Sequence, residues 1–176
     1  MRDALVAGLS LNIFNKHCDR VKMANIAQLI NVLQAVILTD GPRMLRTPTY
    51  HVFHMYKYHQ DADLVESYLD GVETIGEEKE YMVPSLQESV SVDKEGILTI
   101  TLNNLSVDKN EPVEITFAQC QAKEVTAAIL NNEMHAYNTF EEPDKVHEEV
   151  LSNYTVENGV IRFTMPASSV VQFRVR

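Results

Sequence analysis

The sequence contains no tryptophan, only two cysteines and little positive charge. Its 176 residues carry 25 acidic and 15 basic side chains, which gives a formal net charge of −10. Because such a chain repels phosphate backbones and anionic lipid surfaces, we expect neither nucleic acid nor a membrane as a partner. Cys18 and Cys120 lie far apart in the sequence, so we expect two reduced, buried thiols rather than a disulfide.

Long apolar runs are also absent. No stretch approaches the roughly 20 apolar residues that cross a bilayer, and the first residues lack a signal-peptide cleavage pattern. These features predict a soluble chain, cytoplasmic or periplasmic in a bacterium. The length allows one domain plus an appended piece, but not a complete barrel enzyme. A helical period is already present at Leu5 without a capping residue before it, so we expect a fragment that begins inside an element.

The first 60 residues combine helical and strand-like patterns. Apolar residues at helical spacing predict an amphipathic helix over residues 3–17. Residues 21–34, VKMANIAQLINVLQ, are almost free of charge but contain four amides. Their periodicity fits a helix or a strand, and we favour a strand over residues 21–27 that ends at a polar ligand. Thr47 and Pro48 predict a helix over residues 48–60 that begins with a hydroxyl cap.

Several titratable residues could suggest catalysis or metal binding. His51, His54 and His59 are not spaced at i and i+4, and no Glu accompanies them, so we interpret them as helix-surface or core-edge residues. Two acidic pairs flank Pro143, and we interpret them as solvated loop charges because nothing apolar nearby would raise a carboxyl pKa. These pairs are Glu141 with Glu142 and Glu148 with Glu149. The sequence therefore predicts no catalytic residue, no metal site and no cofactor.

The period of the apolar pattern changes from about 3.6 to about 2 near residues 61–63. We place a domain boundary there, between residues 1–62 and residues 63–176. Asn158 and Gly159 predict a tight hairpin between two of the strands that follow. Short strands at this spacing favour a mainly β fold, an antiparallel β-sandwich. The predicted strands lie within 80–92 and at 97–102, 113–117, 123–130, 151–156, 160–165 and 170–175.

Two blocks carry a resemblance to a known family. Residues 2–39, RDALVAGLSLNIFNKHCDRVKMANIAQLINVLQAVILT, and residues 45–62, LRTPTYHVFHMYKYHQDA, resemble the end of the catalytic barrel in α-L-arabinofuranosidases of glycoside hydrolase family 51. Residues 63–176 resemble, more weakly, the β-sandwich that follows that barrel. The resemblance implies a helix-strand-helix remnant of a (β/α)8 barrel before the sandwich, with residues 21–27 as the eighth strand.

The resemblance also implies a substrate-binding residue. Active sites of such barrels lie at the carboxyl ends of the strands, and Gln28 matches the glutamine of the family's A-Q-x-x-N-V motif, which hydrogen-bonds the arabinofuranosyl ring. Asn31 matches the same motif, whereas Gln34 is a poor candidate. The family cleaves terminal arabinofuranosyl residues with retention through two glutamates on earlier strands. No E-W-N motif occurs here, so we expect the chain alone to be inactive.

Two other interpretations stay open, a non-catalytic carbohydrate-binding module and a purely structural domain that braces the barrel. The expected partners are arabinose-containing oligosaccharides or polysaccharides, bound by the parent enzyme. A strand that is apolar on both faces exposes apolar surface when the neighbouring strands of the barrel are absent. We expect a second copy of the chain to bury that surface, and therefore expect a homo-oligomer.

Overall fold

The structure, a computed structural model, describes residues 1–77, 81–119 and 121–176. Two helices cover one face of a large antiparallel sheet, and a small sheet covers its other face. The helices are α1 (Arg2–Lys16) and α2 (Pro48–Tyr56), and a 3-10 turn (Lys57–His59) extends α2. The strands are β1 (Ile37–Asp40), β2 (Arg43–Arg46), β3 (Asp63–Val65), β4 (Thr74–Ile75), β5 (Val83–Pro84), β6 (Leu86–Val92), β7 (Leu98–Asn104), β8 (Glu111–Ile115), β9 (Val125–Asn131), β10 (Glu149–Val150), β11 (Tyr154–Glu157), β12 (Val160–Met165) and β13 (Ser169–Val175).

All strand pairs within the two main sheets are antiparallel. The large sheet has the order β10-β9-β13-β7-β6-β3, and the small sheet has the order β11-β12-β8. The last strand of the chain, β13, lies between β7 and β9, where Phe173 faces Ile100 on one side and Ala127 on the other. The centre of the sandwich is therefore completed by the end of the chain.

The apolar core of the sandwich lies between the two sheets. Phe173 is fully buried and meets Phe163 of the small sheet with ring centroids 5.0 Å apart and Tyr154 with centroids 5.6 Å apart, both in edge-to-face geometry. Ile161 and Met165 are also fully buried in this cluster. Alternate residues of β12 thus point into the core, as the period of 2 predicts.

A second apolar cluster joins the helices to the opposite face of the large sheet. Leu5 of α1 and Met55 of α2 pack in one cluster with Leu130 of β9 and Val170 of β13. Val146, from the long connection between β9 and β10, is fully buried in the same cluster. The helical part and the sandwich are consequently packed directly on each other, and the boundary near residues 61–63 remains a prediction.

Most sequence predictions for the second part are confirmed. The mainly β, antiparallel sandwich is present, and the predicted strands correspond to β5 to β9 and β11 to β13. Asn158 and Gly159 form the turn between β11 and β12 with φ angles of 53° and 77°, the left-handed values that a type I′ hairpin requires. Helix α1 is confirmed within one residue at each end, and α2 with its 3-10 turn covers residues 48–59.

The predicted strand over residues 21–27 is wrong. These residues form no strand, and only an isolated parallel bridge between Ile30 and Ile37 pairs the linking segment, residues 21–36, with another part of the described chain. A buried parallel strand exists only where hydrogen-bonded neighbours flank it. None of the described strands provides those neighbours, so the segment stays irregular and largely exposed.

Two smaller expectations also need correction. Cys18 is free but exposed rather than buried, because it follows the end of α1, and Cys120 lies outside the described residues. Thr47 occupies the N-cap position of α2, but its hydroxyl donates to the Ala35 carbonyl oxygen at 2.8 Å instead of capping the helix. The β1–β2 hairpin around Gly41 is an additional element that no sequence pattern above predicted. Among the described residues, no helix is long and apolar enough to cross a membrane.

Candidate functional site

The predicted substrate-binding residues lie in the linking segment, residues 21–36. The Gln28 side chain is exposed. Asn31 has a φ angle of 54°, and its side-chain amide pairs with Thr39 of β1: Nδ2 donates to Oγ1 at 2.9 Å, and Oδ1 accepts from the Thr39 backbone N–H at 2.8 Å. Asn31 therefore anchors the segment to the β1–β2 hairpin and presents Gln28 on the exposed side. The roles of Gln28 and Asn31 in substrate binding stay predictions.

An apolar surface surrounds the same segment. We name it the open apolar face and define it by large side chains that remain exposed on α1, on α2 and along the segment. They reach 79% exposure at Met23 and 91% at Leu33. Val6, Phe14 and Phe53 line one trough with Ile26 of the segment, and exposed apolar side chains grouped in this way are typical of a site of protein interaction. The members of the open apolar face are Val6, Phe14, Met23, Leu29, Ile30, Leu33 and Phe53.

The other side of α1 rests on a buried polar network. The Asn12 side-chain oxygen, at 1% residue exposure, accepts hydrogen bonds from the hydroxyls of Tyr56, Ser89 and Thr101, each at 2.9 Å. Asn103 Nδ2 donates to the Tyr56 hydroxyl at 3.0 Å, and burial raises the pKa of Tyr56. Side chains of α1, α2, β6 and β7 are thus locked together, which fixes the helical layer on the large sheet.

Two histidines are held neutral by burial. His59 contacts Ser91 Oγ through Nδ1 at 2.8 Å and Thr101 Oγ1 through Nε2 at 3.0 Å, and burial lowers its pKa to about 4. Burial likewise lowers the pKa of His51 to about 4. These residues belong to the core edge, as their spacing predicted.

Several of the remaining titratable groups make polar contacts on the surface. His54 Nδ1 lies 2.7 Å from Glu148 Oε2, whereas Glu141 and Glu142 are exposed. Within residues 1–77, 81–119 and 121–176, no group of three or more His, Cys, Asp and Glu side chains is arranged to hold a metal ion. The acidic pairs thus occupy the surface of a connection, and Glu148 stabilises its contact with α2.

A cleft of about 500 Å³ lies beside the contact between His54 and Glu148, and we name it the α2 cleft. One wall comes from the end of β2 and the first turns of α2, and the other from the connection that leads into β10. No local sequence pattern indicated this cleft, because its walls are about 100 residues apart in the chain and meet only in the fold. Its polar lining residues are Arg46, Tyr50, His51, His54, Asp144, His147, Glu148 and Glu149.

Comparison with known proteins identifies the family. The profile of the α-L-arabinofuranosidase C-terminal domain matches residues 1–169. The chain belongs to this family. An intracellular exo-α-L-arabinofuranosidase of Bacteroides ovatus is 38% identical over 177 residues, which cover 100% of this chain and 34% of that relative. An exo-α-(1→6)-L-arabinofuranosidase of Bifidobacterium longum is 24% identical, over 99% of this chain and 34% of that relative.

A solved structure agrees with this assignment. The crystal structure of the family 51 arabinofuranosidase from Xanthomonas axonopodis pv. citri superposes with a TM-score of 0.92 at 36% identity. The alignment covers 98% of this arabinofuranosidase C-terminal domain and 35% of that chain. The chain therefore spans about a third of the length of the relatives it matches.

Proposed function

We propose that this chain supplies the C-terminal part of an α-L-arabinofuranosidase that hydrolyses terminal arabinofuranosyl residues with retention of configuration. The observation that carries the proposal is the match of the whole chain to about a third of a relative named as an exo-α-L-arabinofuranosidase, at 38% identity. Retaining glycosidases need an acid/base carboxyl group and a nucleophilic carboxylate. In this proposal both glutamates belong to the preceding part of the enzyme, and the substrates are arabinose-containing oligosaccharides or polysaccharides.

The open apolar face supports this arrangement. Phe14 of α1 and Phe53 of α2 are exposed on the same side as the linking segment and line a trough with Ile26. Burying such side chains against the rest of a barrel would stabilise the assembly by about 25 cal/mol for each Å² of apolar surface removed from water. Residues 1–62 would then form the last segment of the barrel, and residues 63–176 the domain that braces it.

Gln28 is the proposed substrate contact. Its side chain is exposed in the linking segment, where an amide can both donate to and accept from sugar hydroxyls. Asn31 is the second candidate, and its amide would have to exchange its bonds with Thr39 for bonds to the sugar. Since relatives are named as intracellular enzymes, we place the assembled enzyme in solution inside the cell.

A complementation experiment tests the function. The purified chain is assayed on an aryl α-L-arabinofuranoside alone and after mixing with the part of the Bacteroides ovatus relative that precedes the match. We expect no turnover by the chain alone and turnover by the mixture. We also expect the chain alone to self-associate through the open apolar face, and sedimentation should show that the added piece replaces the second copy. Turnover by the chain alone, or an inactive mixture that forms a complex, would contradict the proposal.

Paired variants test the residue assignment in the active mixture. Gln28→Ala should lower kcat/KM about 5-fold to 30-fold, because it removes one or two hydrogen bonds to the sugar. Gln34→Ala is the matched control, since Gln34 is also an exposed amide of the linking segment, and it should leave kcat/KM within about 2-fold. Equal effects of the two substitutions would refute the role of Gln28.

A further inference from the structure

The α2 cleft has a mixed polar lining that no step of the proposed hydrolysis uses. Arg46 lies over the ring of half-buried Tyr50, with its guanidinium carbon 5.6 Å from the ring centroid, and its Nη2 is 3.5 Å from Asp144 Oδ1. The Tyr50 ring is nearly parallel to that of His54, with an interplanar angle of 7°. This wall therefore has a fixed aromatic residue with charged groups at its edge.

The opposite wall is built by short polar contacts of the connection into β10. His147 Nδ1 lies 2.6 Å from the Asp144 carbonyl oxygen, and its Nε2 lies 3.5 Å from Glu149 Oε1. Glu148 reaches across to α2 through its 2.7 Å pair with His54. Its backbone N–H also donates to His51 Nδ1 at 3.4 Å. Both walls are thus held in place by side chains that line the cleft.

His51 contributes an unused hydrogen-bonding group. The residue is only 4% exposed. Because Nδ1 accepts from Glu148, the neutral ring carries its proton on Nε2. That nitrogen is buried and has no hydrogen-bond partner within the described part of the chain. His51 lines the cleft, and a buried donor without an acceptor costs about 1–3 kcal/mol, so a ligand oxygen that reached Nε2 would remove this cost.

The charges of the cleft restrict its ligand. Three carboxylates, those of Asp144, Glu148 and Glu149, face one permanent cation, the guanidinium of Arg46, while burial keeps His51 neutral. The excess of negative charge disfavours phosphate, sulfate and uronate groups. The lining offers both donors and acceptors, and hydroxyl groups are the ligand groups that use both. A neutral polyhydroxylated molecule meets these conditions.

We propose that the α2 cleft binds a neutral oligosaccharide, with the carboxylates of Asp144 and Glu148 accepting bonds from sugar hydroxyls and Tyr50 providing an apolar ring edge. The cleft lining does not include Gln28 or Asn31, so this binding site is additional to the proposed substrate contact. The choice of arabinose-containing chains as ligand rests on the proposed function, whereas the cleft chemistry requires only a neutral sugar.

Titration of the isolated 176-residue chain tests the proposal without any need for hydrolysis. A short arabino-oligosaccharide is added and followed by calorimetry and by the NMR signals of the histidine rings, with a xylo-oligosaccharide and a cello-oligosaccharide in parallel. We expect saturable arabino-oligosaccharide binding with a Kd of about 1 mM or tighter, and shifts of His51, His54 and His147. No saturation with any of the three sugars, or shifts confined to other histidines, would overturn the proposal.

Variants locate the binding. Asp144→Asn and Glu148→Gln should each weaken binding about 5-fold to 10-fold, because each replaces a charged acceptor by a weaker one. Glu114→Gln is the control, since Glu114 forms an exposed ion pair with Arg162 at 2.7 Å on the small sheet, and it should leave the Kd unchanged. Thermal unfolding of each variant separates lost binding from lost folding.

The outcomes also separate this proposal from the proposed function. Saturable binding that responds to Glu148→Gln but not to Glu114→Gln would support the site even if complementation gave no turnover. An active complemented enzyme whose C-terminal chain binds none of the three sugars would overturn the cleft proposal alone. Equal weakening by Glu148→Gln and Glu114→Gln would also overturn it. Binding of the xylo- or cello-oligosaccharide in preference would support the site but reject arabinose as its ligand.

Discussion

Asn12 offers a sharp test of how the helical layer is held on the sandwich. Its side-chain oxygen accepts hydrogen bonds from three buried hydroxyls, those of Tyr56, Ser89 and Thr101. In Asn12→Ala these hydroxyls lose their common acceptor. Ser89 and Thr101 keep their mutual contact at 3.0 Å, and Tyr56 keeps the Gly8 carbonyl oxygen at 3.2 Å. One or two buried groups remain poorly satisfied, at about 1–3 kcal/mol each, so we expect a loss of about 2–4 kcal/mol.

A double-mutant cycle isolates the central bond. Tyr56→Phe removes the hydroxyl that donates to Asn12 and accepts from Asn103 Nδ2, and should cost about 1–3 kcal/mol. Because both substitutions break the same bond, the double variant should be about 1 kcal/mol more stable than the sum of the single effects predicts. Ser10→Ala is the control, since the Ser10 hydroxyl bonds only to the Val6 carbonyl oxygen of its own helix. Its effect should stay within about 0.5 kcal/mol.

The assay is urea unfolding followed by far-ultraviolet circular dichroism, which suits a chain without tryptophan. The midpoint and slope of each curve give the free energy of unfolding. The network joins α1 and α2 to β6 and β7. The unmodified chain should therefore unfold in a single transition, whereas Asn12→Ala should unfold in two transitions if the helices separate from the large sheet before the sheet unfolds. A variant as stable as the unmodified chain, or a coupling energy near zero, would refute the network as a determinant of this interface.

Two further predictions concern the same interface. Gly8→Ala should destabilise the chain by about 1–3 kcal/mol in urea unfolding, because the added Cβ would lie 3.0 Å from Asn103 Cγ. The loss is expected even though alanine favours helices more than glycine does. An unchanged urea midpoint would contradict the close approach of Gly8 to Asn103. Acidification should also destabilise the chain. The pKa of His51 and of His59 falls from 6.5 to about 4 on folding. The unfolded chain therefore binds protons at a higher pH than the folded chain, and the free energy of unfolding decreases as the pH falls from about 6.5 towards 4. Between pH 7 and pH 5 each histidine should account for a loss of about 1–2 kcal/mol in the free energy of unfolding. His59→Gln should therefore flatten the pH dependence of the urea midpoint. An unaltered pH dependence would refute the burial of a neutral His59.

The sequence predicted the strands well because their pattern is local. In β7, Ile100 and Leu102 alternate with Thr99, Thr101 and Asn103, which indicates a strand with one apolar and one polar face. Such alternation normally marks a face exposed to water. Here both faces are buried, since α1 covers the polar one and satisfies Thr101 through Asn12. The alternating pattern therefore predicted the strand but not the helix that covers its polar face. The hydrogen-bond partner of Thr101 is an asparagine in a helix far away in the sequence, which a local pattern does not reveal.

Residues 21–27 show the opposite limit. Their composition is that of an interior strand, and the resemblance to the family supported the same interpretation. Strand formation, however, depends on backbone partners as well as on composition. Among the described residues, its strand-like pairing is limited to the bridge from Ile30 to Ile37, beside the anchor from Asn31 to Thr39 and the bonds from Thr47 to the carbonyl oxygens of Ala35 and Val36. The α2 cleft was not predictable for a related reason, since Glu148 and His54 meet only after the connection from β9 to β10 has folded onto α2.

The two sides of the helical layer differ in a way that bears on how a complete enzyme would assemble. Towards the large sheet, α1 is held by directional hydrogen bonds around Asn12, which require one orientation. Away from the sheet, Phe14 and Phe53 leave apolar surface that is non-directional and still uncovered. The orientation of the layer is therefore set before the open apolar face is buried. The rest of the barrel would then meet a preformed helical surface beside the linking segment with Gln28.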